Sequence, residues 1–198
     1  MTEQFLQSQP EKEPGYSPNN EKVGATLNVI EKKAYTPAEL EKWQQTLQER
    51  EKLANEVCLK YKKGDIFNFH LEKMQLEHES SPRYTVVLDG VEIGNFRIGI
   101  GEDGQDMIIK GIVLNKNIRN KGFGKQLYIL LNNYLKKTEG LVLKQSYETS
   151  NAANTLWLSL FKDGLAEVVP ENSPDGYKIP WMKNDFLPKG TKLYRFKK

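Results

Sequence analysis

Apolar residues are scarce over positions 1–35, which are filled mainly by Glu, Gln, Pro, Asn, Lys and Ser. Such a segment cannot bury enough surface to offset its ordering entropy. Residues 1–35 are therefore expected to form a disordered polar tail, with a Leu27–Ile30 patch able to dock on something. Thr36-Pro37-Ala38-Glu39 then reads as a capping box with proline in the first helical turn. Behind it Leu40, Trp43, Leu47, Ala54, Val57 and Tyr61 recur at spacings of three and four, with Arg50 breaking the row. This predicts an appended amphipathic helix over 36–63. Its seam either packs on the parent domain or forms a contact with a partner or a second copy in a homodimer.

From Gly64 the pattern changes. Phe67, Phe69 and Leu71 alternate with polar residues, and Arg83–Leu88 is β-branched and apolar. Asp89-Gly90 is a hairpin turn leading into Val91–Ile100. A second turn spans Gly101 to Gly104, and the nearly continuous apolar run Met107–Leu114 suits a buried central strand. Leu127, Leu130, Leu131, Tyr134 and Leu135 define the inner face of a helix from about Gly122 to Lys137. Leu141–Tyr147 reads as a strand, Ala152–Lys162 as a helix and Thr191–Phe196 as a closing strand. The order predicts an α/β domain over 64–198, a mixed central sheet flanked by helices, with an N-terminal helical extension.

Composition bounds the function. Of 198 residues, 38% are hydrophobic and 28% charged, enough apolar material for one core. The formal net charge is +3, but Lys and Arg are interleaved with acids, which favours a solvated surface over a nucleic-acid interface. The only support for nucleic-acid association is Lys/Arg richness together with aromatic residues such as Trp181. A single cysteine, Cys58, excludes an internal disulfide, and with only His70 and His78 beside it no metal site is expected. The opening residues lack the basic start and apolar run of a secretory signal. No stretch has the length and apolarity of a membrane span. A soluble, reducing, cytoplasmic setting is the expectation.

The chemistry concentrates in Arg119-Asn120-Lys121-Gly122-Phe123-Gly124-Lys125, placed between the buried strand and the following helix. The glycines let the backbone turn tightly and a ligand approach the amides without meeting a Cβ. First-turn N–H groups of a helix have no intrahelical partner and carry the positive end of the dipole, so a pyrophosphate suits this place. Arg119, Lys121 and Lys125 add cationic side chains. A P-loop is excluded because Gly124-Lys125 is followed by Gln126, and the third glycine of a dinucleotide fingerprint is missing.

Arg119-x-x-Gly122-x-Gly124, behind a buried strand, resembles the acetyl-CoA-binding motif of the GNAT acetyltransferase superfamily. The stretch from Asn151-Ala-Ala-Asn154 to Gly164 is similar to that family's second cofactor segment. The resemblance covers roughly residues 66–170. It implies an acyl-CoA N-acyltransferase in which the strand before the motif and the strand after the helix splay apart around acetyl-CoA (coenzyme A). The pantetheine arm would pair with the backbone of Ile112, Val113 and Leu114. The pyrophosphate would sit on amides from Arg119 through Lys125. Asn151 and Asn154 would touch the arm or the adenine-side phosphate, Asn151 being alternatively a helix N-cap. An acetyl group would pass directly to an amine acceptor, without a nucleophile from the protein.

The sequence departs from that family twice. The second helix has no Tyr to serve as general acid, leaving Ser159 or Tyr147 as substitutes. No helical pair is evident between the first two strands, where relatives build the acceptor pocket, which suggests an open groove and a protein or peptide amine as acceptor. Asp106 and Glu148 are the candidate general bases. The competing expectation is a catalytically silent GNAT-like module that binds coenzyme A or a protein partner.

Overall fold

Asp89 and Gly90 both take positive φ, 50° and 77°, and so turn the chain in two residues between β3 (Arg83–Leu88) and β4 (Val91–Ile100). The structure, a computed structural model, describes residues 27–75, 79–101, 104, 106–146, 149–169 and 193–198. Before this hairpin come β1 (Asn28–Lys32), α1 (Pro37–Gln45), α2 (Leu47–Lys60) and β2 (Phe69–Met74). After it come β5 (Asp106–Leu114), a 3-10 turn (Lys116–Ile118), α3 (Phe123–Thr138), β6 (Val142–Lys144), α4 (Asn151–Lys162), β7 (Ala166–Val168) and β8 (Tyr194–Phe196).

The strands form one eight-stranded mixed sheet in the order β1-β2-β3-β4-β5-β6-β8-β7. β2 through β5 are antiparallel neighbours, β5 and β6 are parallel, and β8 lies antiparallel between β6 and β7. One apolar cluster joins the sheet to its helices. Leu71, Val86 and Phe96 from the strands share it with Val57 and Cys58 of α2, Leu127 and Leu131 of α3, and Leu160 of α4. The mixed sheet flanked by helices is the α/β class expected from the pattern.

The N-terminal part differs from expectation. Residues 28–32, placed by their polarity in the tail, form β1, and Leu27 is buried in the main cluster. β1 pairs in parallel with β2, from Asn28 opposite His70 to Lys32 opposite Met74. Its side chains are exposed except for partly buried Val29. Backbone pairing therefore holds it, helped by the ion pairs Lys32–Glu72 (2.7 Å) and Lys73–Glu31 (2.8 Å). Residues 1–26 lie outside the described residues.

The single helix expected over 36–63 is two helices. The capping box at Thr36 and Glu39 forms as read, but α1 ends at Thr46, whose hydroxyl donates back to the carbonyls of Lys42 and Trp43 at 3.1 and 3.3 Å. Nor is the segment an appendage. Ala54, Val57 and Cys58 are buried, while Leu40 and Leu47 at the other end are 45% and 50% exposed. α1 and α2 connect β1 to β2, so a helical pair lies between the first two strands after all. The hydropathy pattern does not show it, because the exposed β1 reads as polar tail.

Candidate functional site

β5 and β6 pair only from Asp106 opposite Val142 to Ile108 opposite Lys144. β5 continues six residues past Ile108 to Leu114, paired with β4 on its other side. Within that stretch the register shifts between Asn95 opposite Val113 and Arg97 opposite Lys110. Phe96 therefore faces both Gly111 and Ile112, a bulge made by Gly111 at φ +58°. The unread device here is the bulge, since nothing in an apolar run marks an extra residue.

A cleft of about 180 Å³ opens where the two strands part. Ile109, Gly111 and Ile112 line it from β5, Tyr128 from α3, and Ala153 and Trp157 from α4. Lys144 and Ser146, at and just past the end of β6, and Thr149 and Ser150, before α4, complete the lining. Tyr128 and Trp157 meet edge to face with ring centroids 5.7 Å apart. Burial pushes the Tyr128 hydroxyl up to about 12, so it remains protonated at neutral pH. The sequence pattern passed over Tyr128; its place one residue after inner-face Leu127 was the available signal.

The motif loop is braced by α2. Asn55 Oδ1 accepts from the side-chain amides of Asn115 (3.0 Å) and Asn117 (2.8 Å), at the 3-10 turn. Beyond it Asn120 takes φ +61° and Gly122 φ +94°. Gly122 is the N-cap of α3 and brings no side chain to the free amides of the first turn. A Cβ built on Gly122 would meet nothing within 4 Å, and one on Gly124 would meet only Leu156 Cδ1, at 3.1 Å. An open, uncapped helix N-terminus is thus formed by Gly122, Phe123, Gly124 and Lys125. It fits an anionic group such as a pyrophosphate.

The three cations are not free around it. Arg119 donates to the Leu114 carbonyl (3.0 and 3.3 Å), Lys121 to the Cys58 carbonyl (2.9 Å), and Lys125 is paired with Asp163. Leu114, expected to face the pantetheine arm, thus already has its carbonyl bonded. The N-cap of α4 is Ser150, whose hydroxyl accepts from the Ala153 N–H at 3.3 Å; Asn151 is the first helical residue and is exposed. Asn154 accepts from the Gln145 side-chain amide at 3.3 Å, and Gln145 in turn bonds the backbone of Tyr194. Its visible partner is therefore structural.

Of the catalytic candidates, Asp106 and Ser159 do not line the cleft. Asp106 is fully buried with its Oδ2 3.6 Å from Arg195 Nη1, an ion-pair distance, and neither oxygen receives a hydrogen bond among the described residues. A base so enclosed cannot reach an acceptor amine. Ser159 lies about 200° around α4 from Trp157, off the face that lines the cleft. Tyr147 and Glu148 lie outside the described residues. Cys58 is buried and its thiol is pushed by burial to about 11, which keeps it inert.

No protein-family model matches the chain, and no curated protein does. Similar solved structures include N-acetylglutamate synthase from Neisseria gonorrhoeae complexed with coenzyme A and N-acetyl-glutamate. It is 14% identical, with a TM-score of 0.38 over 58% of this chain and 25% of that one. An IAA acetyltransferase from Bacillus cereus is 17% identical, with a TM-score of 0.36 over 58% of this chain and 75% of that one. A Bacillus anthracis protein solved with acetyl coenzyme A is 16% identical, with a TM-score of 0.35. That match covers 48% of this chain and 53% of that one, so the chain spans about half of that relative's length.

Proposed function

We propose that this chain is an acetyltransferase of the GNAT type, which moves an acetyl group from acetyl-CoA to an amine. The observation that carries the reading is β5. It parts from β6 after Ile108, bulges at Gly111 and leads into an uncapped helix N-terminus at Gly122. A thioester supplies an activated acyl carbon. Transfer forms a C–N bond, breaks the C–S bond and moves one proton from nitrogen to sulfur.

The chain's residues divide the work. The amides of Gly122, Phe123, Gly124 and Lys125 hold a pyrophosphate, joined by the backbone of Arg119, Asn120 and Lys121. Backbone at Ile112 and Val113 pairs with the pantetheine arm, and a main-chain N–H at the Gly111 bulge polarises the acyl carbonyl. Tyr128, protonated and lining the cleft, is a proton donor for the departing sulfur. Glu148 is retained as the base and Tyr147 as an alternative acid, because Ser146 and Thr149 on either side of them line the cleft. Asn151, exposed beside it, is retained as a contact to the arm. The expectation of a protein or peptide acceptor rested on a missing helical pair, and α1 and α2 remove that ground.

The test is thiol release from acetyl-CoA across a panel of amines, beside acetyl-CoA binding by calorimetry. Amine-dependent release is expected. Binding without release under any amine would leave the silent module, and absence of binding would sink both.

A further inference from the structure

A second pocket, of about 480 Å³, lies against β3, β4 and β5 and shares Gly111 with the cleft. Its chemistry is set by a row of cations. Arg83 on β3 is directly opposite Arg97 on β4, and Arg97 is directly opposite Lys110 on β5. All three line the pocket. Like charges facing each other across strands destabilise a sheet, so such a row needs anions beside it.

The described residues offer one carboxylate. Glu79 bridges both arginines, 3.5 Å from Arg83 and in direct contact with Arg97, and its Oε2 is buried with no hydrogen bond. Lys110 lies over Gly99, where a Cβ would come within 2.7 Å of its Nζ and 3.3 Å of Ser81 Oγ. The bare glycine keeps the ammonium against the sheet. Among the described residues, three cations face one carboxylate, which leaves that set short of negative charge.

We infer that this pocket binds a small amine bearing an anionic group, a carboxylate or a phosphate, as the acceptor of the acetyl group. The anion meets the Arg83–Arg97–Lys110 row, and the amine is left at Gly111, where the two pockets meet. A volume of this size holds an amino acid or an aminoalkyl phosphate. The inference rests on the acetyltransferase reading for the word acceptor, but the anion chemistry of the pocket stands apart from it.

The experiment uses the full chain and matched amines: β-alanine against propylamine for the carboxylate, 2-aminoethyl phosphate against ethanolamine for the phosphate. At least one anionic amine is expected to exceed its neutral counterpart about fivefold in kcat/KM, as pairing with partly exposed cations provides. Arg97→Gln and Lys110→Gln should each shrink that ratio while changing acetyl-CoA affinity less than twofold. Lys110 is exposed, so its variant tests the row even if Arg97→Gln fails to fold. Equal turnover of charged and neutral amines, or efficient turnover only of peptides, overturns the inference. So does loss of acetyl-CoA affinity in Lys110→Gln, which would assign the row to the donor. Direct calorimetry of β-alanine and 2-aminoethyl phosphate separates the two readings. Binding that depends on Arg97 without any acetyl transfer sustains the anion pocket and refutes the acetyltransferase.

Discussion

The Arg119 guanidinium donates two hydrogen bonds, 3.0 and 3.3 Å, to the carbonyl oxygen of Leu114, the last residue of β5. The arginine that the motif presents as a phosphate ligand is thus a clasp across the strand-to-helix turn. Arg119→Ala should lower stability by about 1 kcal/mol, the worth of an exposed charge-assisted bond, or roughly 2–4 °C in Tm. Acetyl-CoA affinity should change less than threefold by calorimetry. A fall of a hundredfold would show instead that the guanidinium swings onto the ligand.

Gly124 tests the helix N-terminus itself. Its backbone is helical, and a Cβ there requires Leu156 Cδ1 to yield from 3.1 Å by only a few tenths of an ångström. Gly124→Glu is therefore expected to fold, while its carboxylate fills and neutralises the anion cradle. Acetyl-CoA binding should weaken by a hundredfold or more, with thermal unfolding still cooperative. Undiminished binding would remove the phosphate reading.

Asp106 is predicted to be structural. Removing one partner of a buried ion pair costs about 3–5 kcal/mol, and Arg195 keeps Glu167 at 2.8 Å, which softens the loss. Asp106→Ala should cost roughly 3 kcal/mol in urea unfolding. The folded fraction should keep at least a third of its turnover. Loss of turnover without loss of stability would restore Asp106 as a base.

Tyr128 gives the protein an alkaline limit. Its folded value of about 12 lies above the ordinary tyrosine value near 10, so the unfolded chain loses this proton first. The contribution is complete below pH 10 and is lost as pH rises from 10 to about 12. Tyrosinate absorbance from Tyr128 should then appear together with unfolding rather than before it. Tyr128→Phe should remove part of that pH dependence and, under the proposed mechanism, lower kcat more than it raises KM.

What the sequence showed depended on burial. Met107–Leu114 announces β5 by its nearly unbroken apolar run, although these residues are only partly buried or exposed (Val113 is 59% exposed), whereas Leu127, Leu131 and Leu135 announce α3 because they are buried. β1 left no such mark. Asn28, Ile30, Glu31 and Lys32 are exposed, and an edge strand held by backbone pairing has no hydropathy to read. Without β1 the pattern shows no helical pair between the first two strands, and α2 reads as an appendage. At the site, Gly122 was legible because its positive φ at an uncapped helix end favours glycine, and Gly124 because it completes the motif spacing in the first helical turn. The partners of Arg119, Lys121 and Lys125 were not, since a cation beside a phosphate motif looks the same whether or not a carbonyl already holds it. The row of Arg83, Arg97 and Lys110 is invisible in the chain, where these residues stand far apart, and appears only through strand register.

The position of β8 between β6 and β7 separates the order of synthesis from the order of assembly. β7 leaves the ribosome first, yet it joins the sheet through β8 rather than through β6. Until Tyr194–Phe196 arrives, β6 presents an unpaired edge on that side, including the backbone of Lys144 and Gln145 that β8 will satisfy. Gln145 and Asn154 then link β8 to the start of α4. The wall of the cleft on that side is thus completed only once β8 has been made. A nascent chain halted before β8 carries the whole phosphate motif yet exposes a sticky strand edge, the form in which this protein is most in need of a chaperone.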